Sequence, residues 1–79
     1  MSDDARDRIR AFLLPHMAGQ PLADSDDYFA LGYVNSLFAV QLAVFVEKEF
    51  GLALAAEHMD FDNFRTVDGL VRLVTSVRS

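Results

Sequence analysis

The chain has no cysteine among its 79 residues, which excludes a disulfide framework, a CxxC metal site and a cysteine nucleophile. Glycine and proline are scarce, at four and two, and with 52% hydrophobic and 24% charged residues the composition is globular. Basic residues are outnumbered by acidic ones, for a net charge of -5. A nucleic-acid partner needs a basic surface to meet its phosphates and is not expected, whereas partners carrying Arg or Lys are favoured. No apolar run approaches the roughly 18–20 residues of a membrane span. The start, Met1-Ser2-Asp3-Asp4, lacks signal-peptide character. The expectation is a cytoplasmic monomer with no membrane contact, residues 1–79 forming one domain near the lower size limit for an independent core.

No segment alternates at period two and no repeat is visible, so the fold class is all-α. Asp3 or Asp4 is expected to cap a first helix whose apolar face is Ile9, Phe12 and Leu13, extended by His16 and Met17. Pro15 disfavours helical geometry at Leu14 and ends or kinks it. A long connection follows from Ala18 to Asn35, with Leu22, Tyr28, Phe29 and Leu31 as anchors and Asp24, Asp26 and Asp27 as a solvated acidic patch. Near the C-terminus, Asp60 caps a single turn with Phe61 and Phe64 pointing inward. Thr66 caps a last helix with Val67, Leu70, Val71, Val74 and Val77 on its apolar face. Three longer helices and one short third helix result.

The helix opened by Asn35 and Ser36 and stopped by Gly51 is unusual in having two apolar stripes. At about 100° per residue, Ala39, Leu42, Ala43, Val46 and Phe50 share one side. Leu37, Val40, Gln41, Val44 and Lys48 fall nearly opposite, with Phe38, Phe45 and Glu49 on a flank. One stripe suits a core and the other suits a partner.

Catalytic parts are few. His16 and His58 lack zinc-site spacing and read as surface or rim residues. The pairs Asp26/Asp27 and Asp60/Asp62 read as loop solvation and capping, and Asp60-Phe61-Asp62 is too sparse in oxygen for calcium. No nucleophile-elbow pattern surrounds Ser36. No catalytic residue and no metal ligand is assigned. For Ser36 the plain reading is an N-cap. The functional one is an exposed hydroxyl at the positive end of a helix, beside an unused apolar stripe, where an attached phosphate is stabilised.

Gly32-Tyr33-Val34-Asn35-Ser36-Leu37, closing on Glu47-Lys48-Glu49-Phe50-Gly51-Leu52, resembles the acyl and peptidyl carrier protein family. Asn63-Phe64-Arg65-Thr66-Val67 looks like the start of that family's last helix. The resemblance implies a small four-helix bundle with a long first loop. It also implies a 4'-phosphopantetheine arm on Ser36, taken from coenzyme A by a phosphopantetheinyl transferase. The arm's thiol would hold an acyl group as a thioester and carry it between enzymes, the chain itself not being a catalyst. The partner face implied is Asn35, Leu37, Phe38, Val40, Gln41, Val44, Glu47, Lys48 and Met59.

Two departures from the family pattern narrow the cargo. Asn35 replaces the usual aspartate before the serine, although its amide can still cap the helix. Phe38 and Gln41 stand where carriers of fatty acid synthesis show acids, so partners are recognised more by apolar contact. The sequence most resembles freestanding carriers of unusual polyketide extender units (glyceryl, hydroxymalonyl, methoxymalonyl or aminomalonyl). Their partners are an acyl-loading enzyme, dehydrogenases or other tailoring enzymes, and a polyketide synthase acyltransferase. One alternative is an aminoacyl or D-alanyl carrier loaded by an adenylating enzyme. Another, of a different class, is an unmodified acidic adaptor binding partners through Leu37, Val40 and Val44. A polar three-carbon cargo gains little from burial, so solvent exposure of the cargo is expected.

Overall fold

A computed structural model describes residues 2–17 and 19–78. Three α-helices, α1 (Ser2–Leu13), α2 (Leu37–Phe50) and α3 (Val67–Arg78), are joined by loops containing short 3-10 turns, and no strand occurs among the described residues. None of these helices is long and apolar enough to cross a membrane. The architecture is all-helical as expected. The fourth helix is absent from the described residues: two separate turns, Ala56–His58 and Phe61–Asn63, occupy its place. Asp60 caps the second, its carboxylate accepting the Asp62 N–H at 3.0 Å.

Helix α1 already includes Asp3 and Asp4 rather than starting after them, and Ala18, the expected start of the connection, lies outside the described residues. Ala5, Ile9 and Leu13 recur every fourth residue and are buried together with α3 residues. At Pro15 the chain tightens into a 3-10 turn, Leu14–Met17, that buries Met17 and leaves His16 exposed. On α3 the buried set is Val67, Gly69, Leu70, Val71, Leu73 and Val74. Thr66 caps this helix as read, its hydroxyl accepting the Gly69 N–H at 2.8 Å.

The long loop is held by polar anchors more than by apolar ones. Leu22 and Tyr28 are fully packed and Phe29 partly so. Leu31 is exposed instead, carried outward by a turn in which Gly32 takes φ 84 and donates to the Phe29 carbonyl at 3.1 Å. The aspartates of this loop are not a solvated patch. Asp24 accepts from Arg6 at 2.6 Å and Arg10 at 2.7 Å, both on α1, and its carbonyl accepts the Asp68 N–H of α3 at 3.0 Å. Arg6 also reaches Asp68 at 2.7 Å. Asp27 accepts from Arg65 at 2.6 Å and from the Ala30 and Phe29 N–H groups at 3.0 and 3.1 Å. Asp26 closes a local turn by accepting the Ala23 N–H at 2.8 Å. The arginine partners of Asp24 and Asp27 lie far along the chain, where the run of acids by itself gives no sign of them.

Helix α2 packs against α1 through an aromatic seam. Phe12 stacks on Phe45 with centroids 4.2 Å apart and lies 5.9 Å from Phe38, which also meets His16 at 4.7 Å. Leu42, Ala43 and Val46 complete the buried side. At its end Gly51 takes the left-handed φ of 64, and the Leu52 N–H returns to the Glu47 carbonyl at 3.0 Å.

Candidate functional site

The Tyr28-to-Tyr33 turn aims the chain into α2. The Tyr33 N–H donates to the Tyr28 carbonyl at 3.1 Å, so the buried Tyr28 fixes where Asn35 and Ser36 emerge. Both emerge exposed.

Ser36 occupies the N-cap position of α2 but does not act as a cap. Its dihedrals, φ -66 and ψ -23, are already helical, and its side chain makes no capping hydrogen bond. A capping serine takes extended dihedrals that aim its oxygen at the helix N–H groups. Here the first turn closes through main-chain bonds, Phe38 N–H to the Asn35 carbonyl at 3.0 Å and Ala39 N–H to the Ser36 carbonyl at 3.1 Å. The Asn35 amide makes no capping bond either, contrary to the expectation for it. Among the described residues the N–H groups of Ser36 and Leu37 donate to no protein acceptor. A free hydroxyl thus stands beside free donors at the positive end of a helix that has no acid in its first turn. A phosphate ester fits this position: no existing bond must break, and the donors and dipole favour its charge.

Beyond Ser36, the second stripe of α2 lies open to solvent as its spacing implied. Leu37 is 71% exposed, Val40 61% and Val44 44%, and Gln41 and Lys48 join them. Met59 is exposed as well, on the far loop. Two residues of the expected face do not belong to it in the same way. Phe38 is only 6% exposed, because Phe12 and His16 cover the helix flank on which it falls. Glu47 turns its carboxylate to the Leu54 N–H at 2.9 Å and braces the following loop. Phe61, expected to point inward, is half exposed, packing its edge on Phe29 at 4.8 Å.

Two depressions flank this helix on its α1 side. One, of about 310 Å³, begins at Asn35 and is lined by His16, Tyr33, Val34, Phe38 and Gln41. The other, of about 460 Å³, runs past Gln41 between Phe12 and Phe45 on one hand and Val40 and Val44 on the other, ending at Lys48 and Glu49. Phe12, His16, Tyr33 and Val34 were not legible as site residues. Their helical spacing and aromatic character signal core, and only the folded chain gathers them along the α1 side of α2.

A family profile described as "phosphopantetheine attachment site" matches residues 14–74. No curated protein and no solved structure matches the chain.

Proposed function

Since the chain belongs to the phosphopantetheine attachment family, we propose that Ser36 bears the arm and that the loaded protein carries an acyl group as a thioester between separate enzymes. Domains of this family attach 4'-phosphopantetheine covalently and are generally carriers rather than catalysts. The observation that supports Ser36 is its exposed hydroxyl, unbonded at the start of α2. In the loading step the Ser36 oxygen bonds to phosphorus of the coenzyme A pyrophosphate. Adenosine 3',5'-bisphosphate departs with the electrons of the broken bond, and the hydroxyl proton passes to a base of the transferase. The bound arm supplies a thiol for the thioester, a group this cysteine-free chain lacks. The Ser36 and Leu37 N–H groups then hold the phosphate, and Leu37, Val40 and Val44 offer an apolar face to transferase, loading enzyme and acceptor.

The cargo we propose is a short polyketide extender unit of the glyceryl or substituted malonyl type. It would be altered by dehydrogenases or similar enzymes and handed to a synthase acyltransferase. The neutral first half of α2 supports this: no charged residue lies between Ser36 and Glu47, so recognition there rests on apolar contact. Coenzyme A and a broad-specificity phosphopantetheinyl transferase should raise the intact mass by one arm in the wild type and not in Ser36→Ala. A folded wild type that gains no mass would overturn the assignment and favour an unmodified adaptor. Charging the holo protein with candidate acyl-loading and adenylating enzymes separates extender-unit cargo from aminoacyl cargo.

A further inference from the structure

Little holds the chain between Tyr33 and the first turn of α2. From Val34 to Leu37 no main-chain N–H donates to a protein acceptor among the described residues, and Tyr33 and Val34 are only partly buried. The direction in which Ser36 emerges is therefore set by the turn before it, residues 27–33. That turn closes on itself, the Leu31 N–H donating to the Asp27 carbonyl at 3.0 Å and the Tyr33 N–H to the Tyr28 carbonyl at 3.1 Å. Among the described residues, its hydrogen bonds to other elements all go to Phe64 and Arg65, just ahead of α3. We infer that Asp27 and Arg65 form a latch that positions Ser36 for transfer of the arm, acting through this turn and meeting none of the reacting atoms. The inference deepens the proposed function and rests on Ser36 being the attachment point.

The Asp27 carboxylate divides its two oxygens between two tasks. Oδ1 accepts the Phe29 and Ala30 N–H groups at 3.1 and 3.0 Å and so shapes the turn. Oδ2 receives Arg65 from the other element, Nε at 2.6 Å and Nη2 at 2.5 Å. The guanidinium is itself fixed: Nη1 donates to Asp62 at 3.0 Å, and the group lies 5.6 Å from the Phe61 ring centre. A planar fork held on three sides is a rigid anchor, which a lysine ammonium cannot reproduce. Asp24 makes a similar ion-pair tie at a different place. It binds the start of the loop to Arg6 and Arg10 of α1, and the Ala23–Asp26 turn separates it from Asp27. Both acids hold the loop down, but only Asp27 belongs to the turn that aims Ser36. A hydroxyl displaced by about 1 Å from its in-line approach is enough to slow group transfer by about a hundredfold.

The test compares Asp27→Asn, Arg65→Gln, Arg65→Lys and Asp24→Asn with the wild type in the full chain, at a temperature where circular dichroism shows each fully folded. Coenzyme A and a broad-specificity phosphopantetheinyl transferase load them, and intact mass gives the rate at several carrier concentrations. Asp27→Asn and Arg65→Gln should lower kcat by about ten- to a hundredfold with KM near that of the wild type, because the face of Leu37, Val40 and Val44 is unchanged. The amide NMR signals of Asn35, Ser36 and Leu37 should move in both. Arg65→Lys keeps the cation and should recover part of the rate. Asp24→Asn, which loosens the tie to α1 instead, should load at the wild-type rate. Equal slowing in the Asp24 and Asp27 variants would overturn the latch and leave only a general loosening of the loop. A raised KM at unchanged kcat would also overturn it, making the half-exposed Arg65 a docking contact for the transferase. Wild-type rates in every variant would overturn the latch and leave the attachment reading intact, whereas a wild type that gains no mass would remove both.

Discussion

The Tyr28 hydroxyl donates to the main-chain carbonyl of Phe64, 36 residues further on, with both side chains buried. The Tyr28 N–H donates to the next carbonyl, that of Arg65, at 3.3 Å. Burial, with Asp27 nearby adding to it, pushes the phenol well above its ordinary value of 10.0. One side chain thus ties the loop that presents Ser36 to the segment that starts α3. The site is positioned from behind by a hydrogen bond that touches none of its residues.

Tyr28→Phe keeps the ring and removes the donor. The buried Phe64 carbonyl is then left without this partner, and the variant should lose about 1–3 kcal/mol. Denaturant unfolding with an unchanged m-value measures this, and a midpoint equal to that of the wild type would show that the bond contributes nothing.

The Asp24 staple should make folding sensitive to acid. Burial alone raises the Asp24 carboxyl, but hydrogen bonds from Arg6 and Arg10 outweigh it and hold the group below its ordinary 3.8. A depressed carboxyl stabilises the fold fully above the unfolded value and loses that contribution as pH falls through the lower folded value. Asp24→Asn should therefore cost about 1–2 kcal/mol at pH 7, partial exposure weakening the pair. The gap to the wild type should close as pH drops below 3.8. Thermal melts across that range measure it; a gap independent of pH would show that charge is not the cause.

Local signals were legible in the sequence, and long-range ones were not. Thr66 as a cap, Gly51 as a stop and the two stripes of α2 each depend on neighbours a few residues away, and each appears in the fold. Ser36 was placed at the start of its helix for the same reason. The partners of Asp24 and Asp27 lie on other elements, so a run of acids looked like solvation when it was a staple. Phe38 fell on a flank of α2 that periodicity alone leaves undecided. Phe12 on α1 and His16 in the Leu14–Met17 turn lie against it and decide that it is buried. The single turn capped by Asp60, also a local signal, appears as Phe61–Asn63, while the separate turn Ala56–His58 ahead of it carried no such signal.

Gly69→Ala tests a contact hidden behind a favourable propensity. Alanine in a helix is ordinarily better than glycine by about 1 kcal/mol. Here the added Cβ would lie 3.1 Å from the Asp62 carbonyl and the Thr66 hydroxyl and 3.2 Å from the Asn63 carbonyl. Two of those atoms are backbone, and the third is the cap itself, so relief must come from moving the turn or breaking the cap. The variant should be destabilised by about 1 kcal/mol rather than stabilised. A raised melting temperature would show that the turn yields freely.

The two faces of α2 should separate stability from transfer. Leu42 and Val46 are fully buried, so Leu42→Ala should cost about 2–5 kcal/mol and Val46→Ala about 1–3 kcal/mol. A domain of this size holds a margin of only about 3–5 kcal/mol, so the first change is enough to unfold much of the population. Val40→Glu and Val44→Glu place a charge on side chains already open to solvent, and far-UV circular dichroism should be nearly unchanged. Loading at Ser36 or delivery from it should nonetheless weaken, because the new charge must be desolvated wherever a partner covers this stripe. Parallel melts and loading rates for the four variants measure the split. If either glutamate variant loses its helicity, the stripe belongs to the core and the partner surface lies elsewhere.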